Sequence, residues 1–217
     1  MAQGFPRRDG RVARDVRRRQ HEALSWAGAA QAGGRGAPEG LVRRVLEKGL
    51  PLAPRHRRHD RYYARFRKTF HVLLQLESIV LKGKDLPRIT PLVDANFLSE
   101  VETLVLTAGH DVDLLVEPVR IDVSREGDVI TQMNGEVRQM YAGDMIMRDG
   151  GAVSCSVIYG QDNRSPISAR TVRALYVAYA PQGVPVDVVE RHLAAIEESV
   201  HLCCPGALVE QRRLVTA

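Results

Sequence analysis

Five short segments between residues 119 and 159 alternate with strong turn signals, and this pattern most restricts how the chain can fold. The strand-like segments are residues 119–123, 129–133, 137–140, 145–147 and 153–159. The turn signals are Glu126-Gly127-Asp128, Asn134-Gly135 and Asp149-Gly150-Gly151. Asn-Gly between two such segments is the strongest local hairpin signal, because both residues accept positive φ. No alternating strand–helix repeat is present, so we predict mostly antiparallel pairing.

Helical patterns flank these strands on both sides. An apolar pattern at 72–81 predicts one helix, which closes at the turn around 82–87, and a second helix is predicted at 92–108. A polar loop at 160–168 precedes another strand at 172–179. The last helix has Val189, Leu193, Ile196 and Val200 at helical spacing, and Asp187 with Glu190 is its predicted amino-terminal cap. These elements predict an α+β layered domain in which helices flank the mostly antiparallel sheet.

The charge of the chain is divided between its two ends. Residues 1–70 carry 18 Lys and Arg against 6 Asp and Glu, whereas the rest carries 13 against 20. We therefore predict a basic, partly disordered leader at 1–55, with short helices at 12–26 and 39–48, and an α+β domain at 56–217 with its core at about 71–205. Such a leader suits a nucleic acid, because each phosphate contact releases a counterion. The same composition is typical of an unconstrained tail from a GC-rich genome, of a start site assigned too early, or of a transit peptide.

A second basic stretch at 55–68 contains Tyr62, Tyr63 and Phe66 among its arginines. Arginines with interleaved aromatic residues can stack on nucleic-acid bases. The same pattern is typical of a helix that docks its aromatic side chains on a folded body. We expect docking.

Two classes of protein are disfavoured by composition. No run of about 18 apolar residues is present, so no membrane span is predicted. The chain has three cysteines, Cys155, Cys203 and Cys204, with no Cys-x-x-Cys spacing, so neither a disulfide framework nor a thiolate zinc site is indicated. We therefore expect a cytoplasmic protein.

A polar stripe marks the predicted helix at 92–108. Asn96, Glu100, Thr103 and Thr107 recur at i, i+4, i+7 and i+11, beside a broad apolar face, and the stripe leads into GHDVD at 109–113. With Gly109 as the left-handed end of the helix, the stripe would form one wall of a pocket and the His-Asp pair its mouth. The alternative is a capped amphipathic helix followed by an ordinary polar turn.

The residues of 109–113 limit the chemistry of such a pocket. His110, Asp111 and Asp113 are metal-ligand types, but ligands one and three apart in a turn seldom converge, and no second cluster completes a shell. We therefore predict neither metal nor cofactor. His110 can serve as a general base, although no Ser or Cys nucleophile elbow and no phosphate-binding glycine loop is present. The loop at 160–165 suits recognition of an amino acid or a ribose, or is a surface crossover loop.

Two blocks of residues share their order and spacing with a known family. The first joins LPRITPLVDAN at 86–96 to GHDVD at 109–113. The second joins MNG at 133–135 to DMIM at 144–147, and continues through Gly151, Tyr159-Gly160, Ile167 and Thr171. Over roughly residues 71–205, the chain resembles the editing domain of the beta subunit of bacterial phenylalanyl-tRNA synthetase, and more closely the freestanding relatives of that domain.

The resemblance implies a module that accepts the 3′ end of a mischarged tRNA and hydrolyses the aminoacyl ester, chiefly clearing tyrosine from the phenylalanine tRNA. It also implies that polar groups position a water, without a strong protein base or a covalent nucleophile. Carried over by position, Asn96 would hold the substrate or the water, and His110 would face the ester or the terminal adenosine. The family reads the tyrosine hydroxyl with a Glu on the strand after its Thr, whereas residues 172–177 contain no carboxylate. The admitted side chain is therefore not predicted.

We predict a freestanding aminoacyl-tRNA editing hydrolase whose catalytic residues are His110 and Asn96 and whose partner is a tRNA 3′ end carrying an amino acid. The predicted substrate-binding residues are Glu100, Asp111, Asp113, Tyr159, Gly160, Gln161, Asp162 and Arg164. One alternative is a tRNA or amino-acid binding module without chemistry. Another is a hydrolase of an unrelated small metabolite.

Overall fold

A computed structural model of the chain describes residues 57–72, 74, 75, 78 and 89–215. The predicted leader at 1–55, including its two short helices, lies outside the described residues, and so does the predicted turn at 82–87. Within the predicted helix at 72–81, residues 72, 74, 75 and 78 are described, and all four are helical.

The described chain contains α-helices at both ends and short strands between them. Besides the helical residues between 71 and 78, the α-helices are α1 (Arg57–Ala64), α2 (Pro91–Thr103) and α3 (Val186–Cys203). The strands are β1 (Leu106–Asp111), β2 (Arg120–Val123), β3 (Val129–Thr131), β4 (Val137–Gln139), β5 (Met145–Arg148), β6 (Val153–Ser156), β7 (Gly160–Gln161) and β8 (Ala174–Tyr179). A single-turn 3-10 helix, Val112–Leu114, follows β1.

All strand pairs are antiparallel and form three small sheets in the described part of the chain. β1 pairs with β8, the order β2-β5-β6-β7 forms a four-stranded sheet, and β3 pairs with β4. Isolated bridges join His110 to Pro166 and Gln132 to Asp162. The chain is therefore an α+β protein with antiparallel sheets, as its turn pattern predicts.

The polar-stripe helix is shorter than predicted. Thr90 caps the start of α2 by accepting a hydrogen bond from the Val93 amide at 3.2 Å. The helix ends at Thr103, and Leu104 takes the left-handed conformation, with φ of 55°. The prediction of a helix to residue 108 with Gly109 as its cap is wrong, because residues 106–111 pair along their whole length with β8. Strand pairing with a distant segment overrides the local helical pattern.

Gly109 has a packing role instead of a capping role. A Cβ atom at this position would lie 2.7 Å from Cδ1 of Ile167 and 3.3 Å from Cε1 of Tyr176. Both neighbours belong to the apolar cluster that joins the β1–β8 ribbon to α2 and α3. Glycine at position 109 therefore lets that layer approach the ribbon.

The β1–β8 ribbon lies between two layers. On one face, Thr107, Gly109 and Asp111 point towards α2, α3 and the segment after Pro166, since alternate strand residues face opposite sides. On the other face, Leu106 and Ala108 belong to the main core, together with Met147, Cys155 and Val157 from the four-stranded sheet and its following turn. His110 shares this second face.

The aromatic residues of the second basic stretch are docked, as expected. Tyr62, Tyr63 and Phe66 are buried in the main core beside Phe70. The Tyr63 hydroxyl donates to the Val157 carbonyl oxygen at 2.7 Å. The core therefore begins before residue 71, earlier than the predicted boundary.

Most of the other predicted elements are present with small shifts. The Asn134-Gly135 hairpin joins β3 and β4, and Gly135 has φ of +84°. The predicted loop at 160–168 begins as β7, because Gly160 pairs with Ser156. The predicted Asp187 cap of α3 is wrong. Pro185 occupies the cap position with no side-chain hydrogen bond, and Asp187 instead accepts a bond from Arg191 at 2.9 Å. None of the helices in the described part of the chain combines the length and apolarity required to cross a membrane.

Candidate functional site

His110 lies near the end of β1, where two other segments contact the strand. His110 pairs with Leu175 in β8 and forms an isolated β-bridge to Pro166. The Asp111 amide donates to the Ser165 carbonyl oxygen at 3.0 Å, which holds the 160–166 segment against the outer edge of β1. The His110 side chain is fully buried.

The imidazole of His110 is joined to a carboxylate through one hydroxyl group. Its Nδ1 lies 2.8 Å from the Ser165 Oγ. The Ser165 hydroxyl donates to Oδ1 of Asp162 at 3.0 Å. The other ring nitrogen, Nε2, is buried and has no hydrogen-bond partner among the described residues. A buried polar atom without a partner costs free energy, so this nitrogen is a candidate contact for a ligand atom.

Arg164 fixes the carboxylates of this cluster. Its Nε lies 2.7 Å from Oδ2 of Asp162, and its two terminal nitrogens lie 3.1 Å from the two oxygens of Asp149. Asp149 also accepts bonds from the backbone amides of Val116, Gly151 and Ala152. The fork-shaped guanidinium therefore links two chain segments rigidly at one side of His110.

The protonation states in this cluster follow from burial and from Arg164. Burial lowers the pKa of His110 to about 4, so the ring is neutral at pH 7; Asp149 opposes this shift and Arg164 reinforces it. Burial raises the pKa of Asp162, and the nearby charge of Arg164 opposes that shift. Burial also raises the pKa of Asp149, but hydrogen bonds from Arg164 and from backbone amides outweigh it, and its pKa lies below the usual range.

The remaining predicted loop residues lie around this cluster. The Gln161 side-chain nitrogen lies 3.3 Å from Nδ1 of His110 and donates to the Ser165 carbonyl oxygen at 3.1 Å. Gly160 has φ of +84°, and a Cβ there would have no neighbour within 4 Å, so the space beside it is open. Tyr159 packs against Tyr141 with ring centroids 6.1 Å apart. The structure thus brings His110, Gln161, Asp162 and Arg164 together, and the space beside Gly160, at the start of the same segment, is open.

Asn96 and Glu100 lie in a different cluster, on the helix side of β1. The Asn96 amide nitrogen donates to the Thr107 carbonyl oxygen at 3.4 Å, and its buried Oδ1 has no partner among the described residues. Oε1 of Glu100 accepts from the Thr107 amide at 2.6 Å. Burial raises the pKa of Glu100 to about 8, against the bond from Thr107. No hydrogen bond joins Asn96 to His110 in the described structure, so the stripe does not end at the His-Asp pair as predicted.

His192 of α3 completes this second cluster, and the sequence analysis did not identify it. Its Nδ1 lies 2.7 Å from the Thr103 Oγ1, and its Nε2 contacts the Thr107 Oγ1. The Thr103 hydroxyl donates to the Ser99 carbonyl oxygen at 2.7 Å, so Nδ1 of His192 carries a proton and Nε2 accepts the Thr107 hydroxyl. Burial lowers the pKa of His192 to about 4. This histidine is fully bonded and neutral.

The acidic residues after His110 have structural partners. The Thr171 hydroxyl donates to Oδ2 of Asp111 at 2.7 Å, and Oδ1 of Asp111 accepts the Asp113 amide at 3.0 Å. A carboxylate oxygen of Asp113 lies 4.0 Å from Arg173. Both residues therefore stabilise the turn after β1 and lie apart from the His110 imidazole, which faces the other side of the strand.

The side chains of the His110 cluster can contact a ligand through hydrogen bonds. In the described part of the chain, no three His, Cys, Asp or Glu residues converge as a metal site. The thiols are poor nucleophiles, because burial raises the pKa of Cys155 to about 12 and that of Cys203 to about 11. The Ser165 hydroxyl is buried and donates to Asp162. What the cluster offers a ligand is a neutral imidazole nitrogen held in a rigid polar frame.

No known protein-family model matches this chain, and no curated protein matches it significantly. The resemblance of the two sequence blocks therefore rests on the residues that carry it.

Proposed function

We propose that the protein is a freestanding aminoacyl-tRNA editing hydrolase that cleaves the ester of mischarged tRNA. The observation that carries the proposal is the buried and unpartnered Nε2 of His110, on a ring whose Nδ1 lies beside Ser165 and Gln161, in the block that resembles the editing domains. The fold is consistent with the proposal at the level of an α+β protein with antiparallel sheets.

The proposed chemistry uses positioning. With a pKa of about 4, His110 is a weak base at pH 7 and instead accepts a hydrogen bond through Nε2. A hydroxyl of the terminal ribose or the attacking water supplies the donor. Fixing the water and the ester in a reactive geometry lowers the barrier by several kcal/mol without a covalent nucleophile. We expect the tRNA end to approach beside Gly160, where the space is open.

The selectivity for the amino acid differs from that of the synthetase domain. Residues 172–177 contain no carboxylate, and the Tyr176 hydroxyl in that segment donates to the Leu92 carbonyl oxygen at 2.9 Å. A site that hydrogen-bonds a substrate hydroxyl discriminates strongly, whereas an apolar site does not. We therefore expect no selection for tyrosine from this strand.

A panel of mischarged tRNAs tests the proposal. The purified full chain should release the amino acid from at least one aromatic or aliphatic mischarged tRNA. His110→Ala should slow this release, because it removes the acceptor nitrogen. The matched control is His201→Ala, which alters an exposed histidine of α3 and should leave the rate unchanged. If the folded protein leaves every tRNA of the panel intact, the protein is not an editing enzyme.

A binding module is the second candidate, and the low basicity of His110 favours it. In that case the same cluster holds a free amino acid or a tRNA end without hydrolysis. A thermal-shift screen with free amino acids separates the two functions, since a ligand at 100 times its dissociation constant adds about 2.7 kcal/mol of stability. Stabilisation without ester hydrolysis indicates binding alone.

We also propose that the leader at 1–55, which lies outside the described residues, contacts the tRNA backbone. The excess of basic residues in the first 70 positions supports this proposal. Deletion of residues 1–55 should weaken tRNA binding and reduce its dependence on salt, because fewer counterions are released. Unchanged affinity and salt dependence would show that the leader makes no such contact.

A further inference from the structure

The neighbours of His110 determine which of its two ring nitrogens carries the proton. The Ser165 hydroxyl has one proton and two neighbouring acceptors, Oδ1 of Asp162 at 3.0 Å and Nδ1 of His110 at 2.8 Å. The Arg164 Nε lies 2.7 Å from the other oxygen of Asp162 and favours the charged form of this carboxylate. A buried carboxylate oxygen is the stronger acceptor, so the hydroxyl proton goes to Asp162.

The ring proton must then lie on Nδ1. Only an N–H at Nδ1 can bond the lone pair of Ser165 when the serine hydroxyl donates elsewhere. The Gln161 amide nitrogen lies 3.1 Å from the Ser165 carbonyl oxygen and 3.3 Å from Nδ1, whereas the Ser165 Oγ lies 2.8 Å from Nδ1. The serine oxygen is therefore the closer partner of Nδ1 and decides the tautomer. Nε2 is left with a lone pair and no donor among the described residues.

From this geometry we infer that Asp162 and Ser165 are positioning residues that hold His110 as the Nδ1–H tautomer, so that Nε2 is a fixed acceptor for a hydroxyl or ammonium donor of the substrate. This role rests on the proposed editing function. Neither residue needs to touch the reacting atoms. An inverted ring proton would present a donor at Nε2 and would repel the same substrate group.

Asp162→Asn is the decisive variant, because it preserves shape and reverses the direction of the hydrogen bonds. The Asn oxygen should face Arg164, which offers only donors, so the Asn nitrogen should face Ser165. The serine hydroxyl then donates to Nδ1 of His110, and the ring proton moves to Nε2. The weaker bond from the Ser165 amide, at 3.3 Å, is lost. Asp187→Asn, which changes an exposed aspartate of α3, is the matched control.

Nitrogen-15 NMR of the histidine-labelled full chain at neutral pH reads the tautomer directly, and the spectrum of His110→Gln identifies the signals of His110. We expect the Nδ1–H form in the unaltered protein and the Nε2–H form in Asp162→Asn. Hydrolysis of the best mischarged tRNA should fall about tenfold in Asp162→Asn, the factor that one hydrogen bond is worth. Ser165→Ala should also slow hydrolysis, and Ser165→Thr, which restores the hydroxyl, should recover part of the rate.

Two results would overturn the inference. One is an Nε2–H tautomer in the unaltered protein, which the NMR spectrum reveals whether or not the protein is an enzyme. The other is an inverted tautomer in Asp162→Asn with an unchanged rate of hydrolysis. A protein that shows the expected tautomer and its inversion, but hydrolyses no tRNA, refutes the editing function while the tautomer assignment holds.

Discussion

His110 and His192 are both fully buried and both have a pKa of about 4, yet only one of them has all of its hydrogen bonds. His192 uses both ring nitrogens, one with Thr103 and one with Thr107. His110 uses Nδ1 with Ser165, and its Nε2 has no partner among the described residues. Burial and protonation state therefore do not separate a structural histidine from a candidate functional one. The two kinds of histidine differ in the number of ring nitrogens that have a hydrogen-bond partner.

The largest expected difference between the two histidines is in stability. His192→Ala should lower the free energy of unfolding by about 4 kcal/mol, because it leaves a cavity and an unsatisfied Thr107 hydroxyl. His110→Ala should cost about 2 kcal/mol, because the Ser165 hydroxyl keeps Asp162 as acceptor and an unsatisfied nitrogen is removed. Urea unfolding measures both, with His201→Ala as the control. Equal losses would mean that the spare nitrogen of His110 is satisfied in solution.

Through Glu100, the helix-side cluster should lose stability at higher pH. The pKa of Glu100 is about 8 in the folded protein and near 4.5 without burial, so between these values the folded state binds the extra proton. Stability should therefore fall by roughly 2 to 3 kcal/mol from pH 5 to pH 7 through this group. Glu100→Gln keeps the acceptor for the Thr107 amide and should remove this loss, whereas exposed Glu198→Gln should not. A pH dependence that Glu100→Gln leaves unchanged would exclude this carboxyl as its source.

Lowering the pH should reduce the stability of the fold by a similar amount through each of the two histidines. Each titrates near pH 6.5 when unfolded and near pH 4 when folded, so below pH 6.5 the unfolded state binds more protons and stability falls. The expected loss is roughly 1 to 2 kcal/mol per histidine between pH 6 and pH 4.5. His110→Gln and His192→Gln should each flatten the acid limb of a urea-denaturation series by this amount. If only one variant does so, the other histidine is not held neutral in the fold.

The smallest expected effect concerns Asn96. Its bond to the Thr107 carbonyl oxygen is 3.4 Å long, so Asn96→Ala should lower stability by only about 0.5 kcal/mol. Its Oδ1 has no partner among the described residues, in common with Nε2 of His110. A slower hydrolysis of mischarged tRNA at nearly unchanged stability would place substrate contacts on both sides of β1. An unchanged rate would confine them to the His110 side.

Much of the sheet structure follows from local sequence. Turn residues with positive φ, such as Gly135, made it possible to predict where the short strands begin and end. The aromatic residues of the second basic stretch were correctly expected to dock. β1 was missed, because residues 104–108 satisfy a helical period as well as a strand pattern. Only pairing with β8, about 70 residues later in the chain, decides between them.

The candidate site was also predictable only in part, because some of its contacts join residues that lie far apart in the sequence. The loop at 160–165 was identified from its density of donors and acceptors, and it does contact His110. His192 was missed, because on a helix it occupies the buried face beside Val189 and Ile196 as an apolar residue would. Its partners Thr103 and Thr107 lie more than 80 residues away, and no local pattern shows that distant groups will meet.

The left-handed Leu104 joins a helix with a period of 3.6 residues to a strand with a period of two, with one residue between Leu104 and β1. This junction sets the phase between the two elements. Insertion of a single residue after Leu104 would shift every β1 side chain to the opposite face, if the helix and the ribbon stayed in place. The His110 imidazole would then take the place of the Asp111 side chain beside Thr171, and the Thr107 hydroxyl would take the place of Ala108 in the apolar core. Natural length variation is therefore expected in the surface turns of the protein and not at this junction.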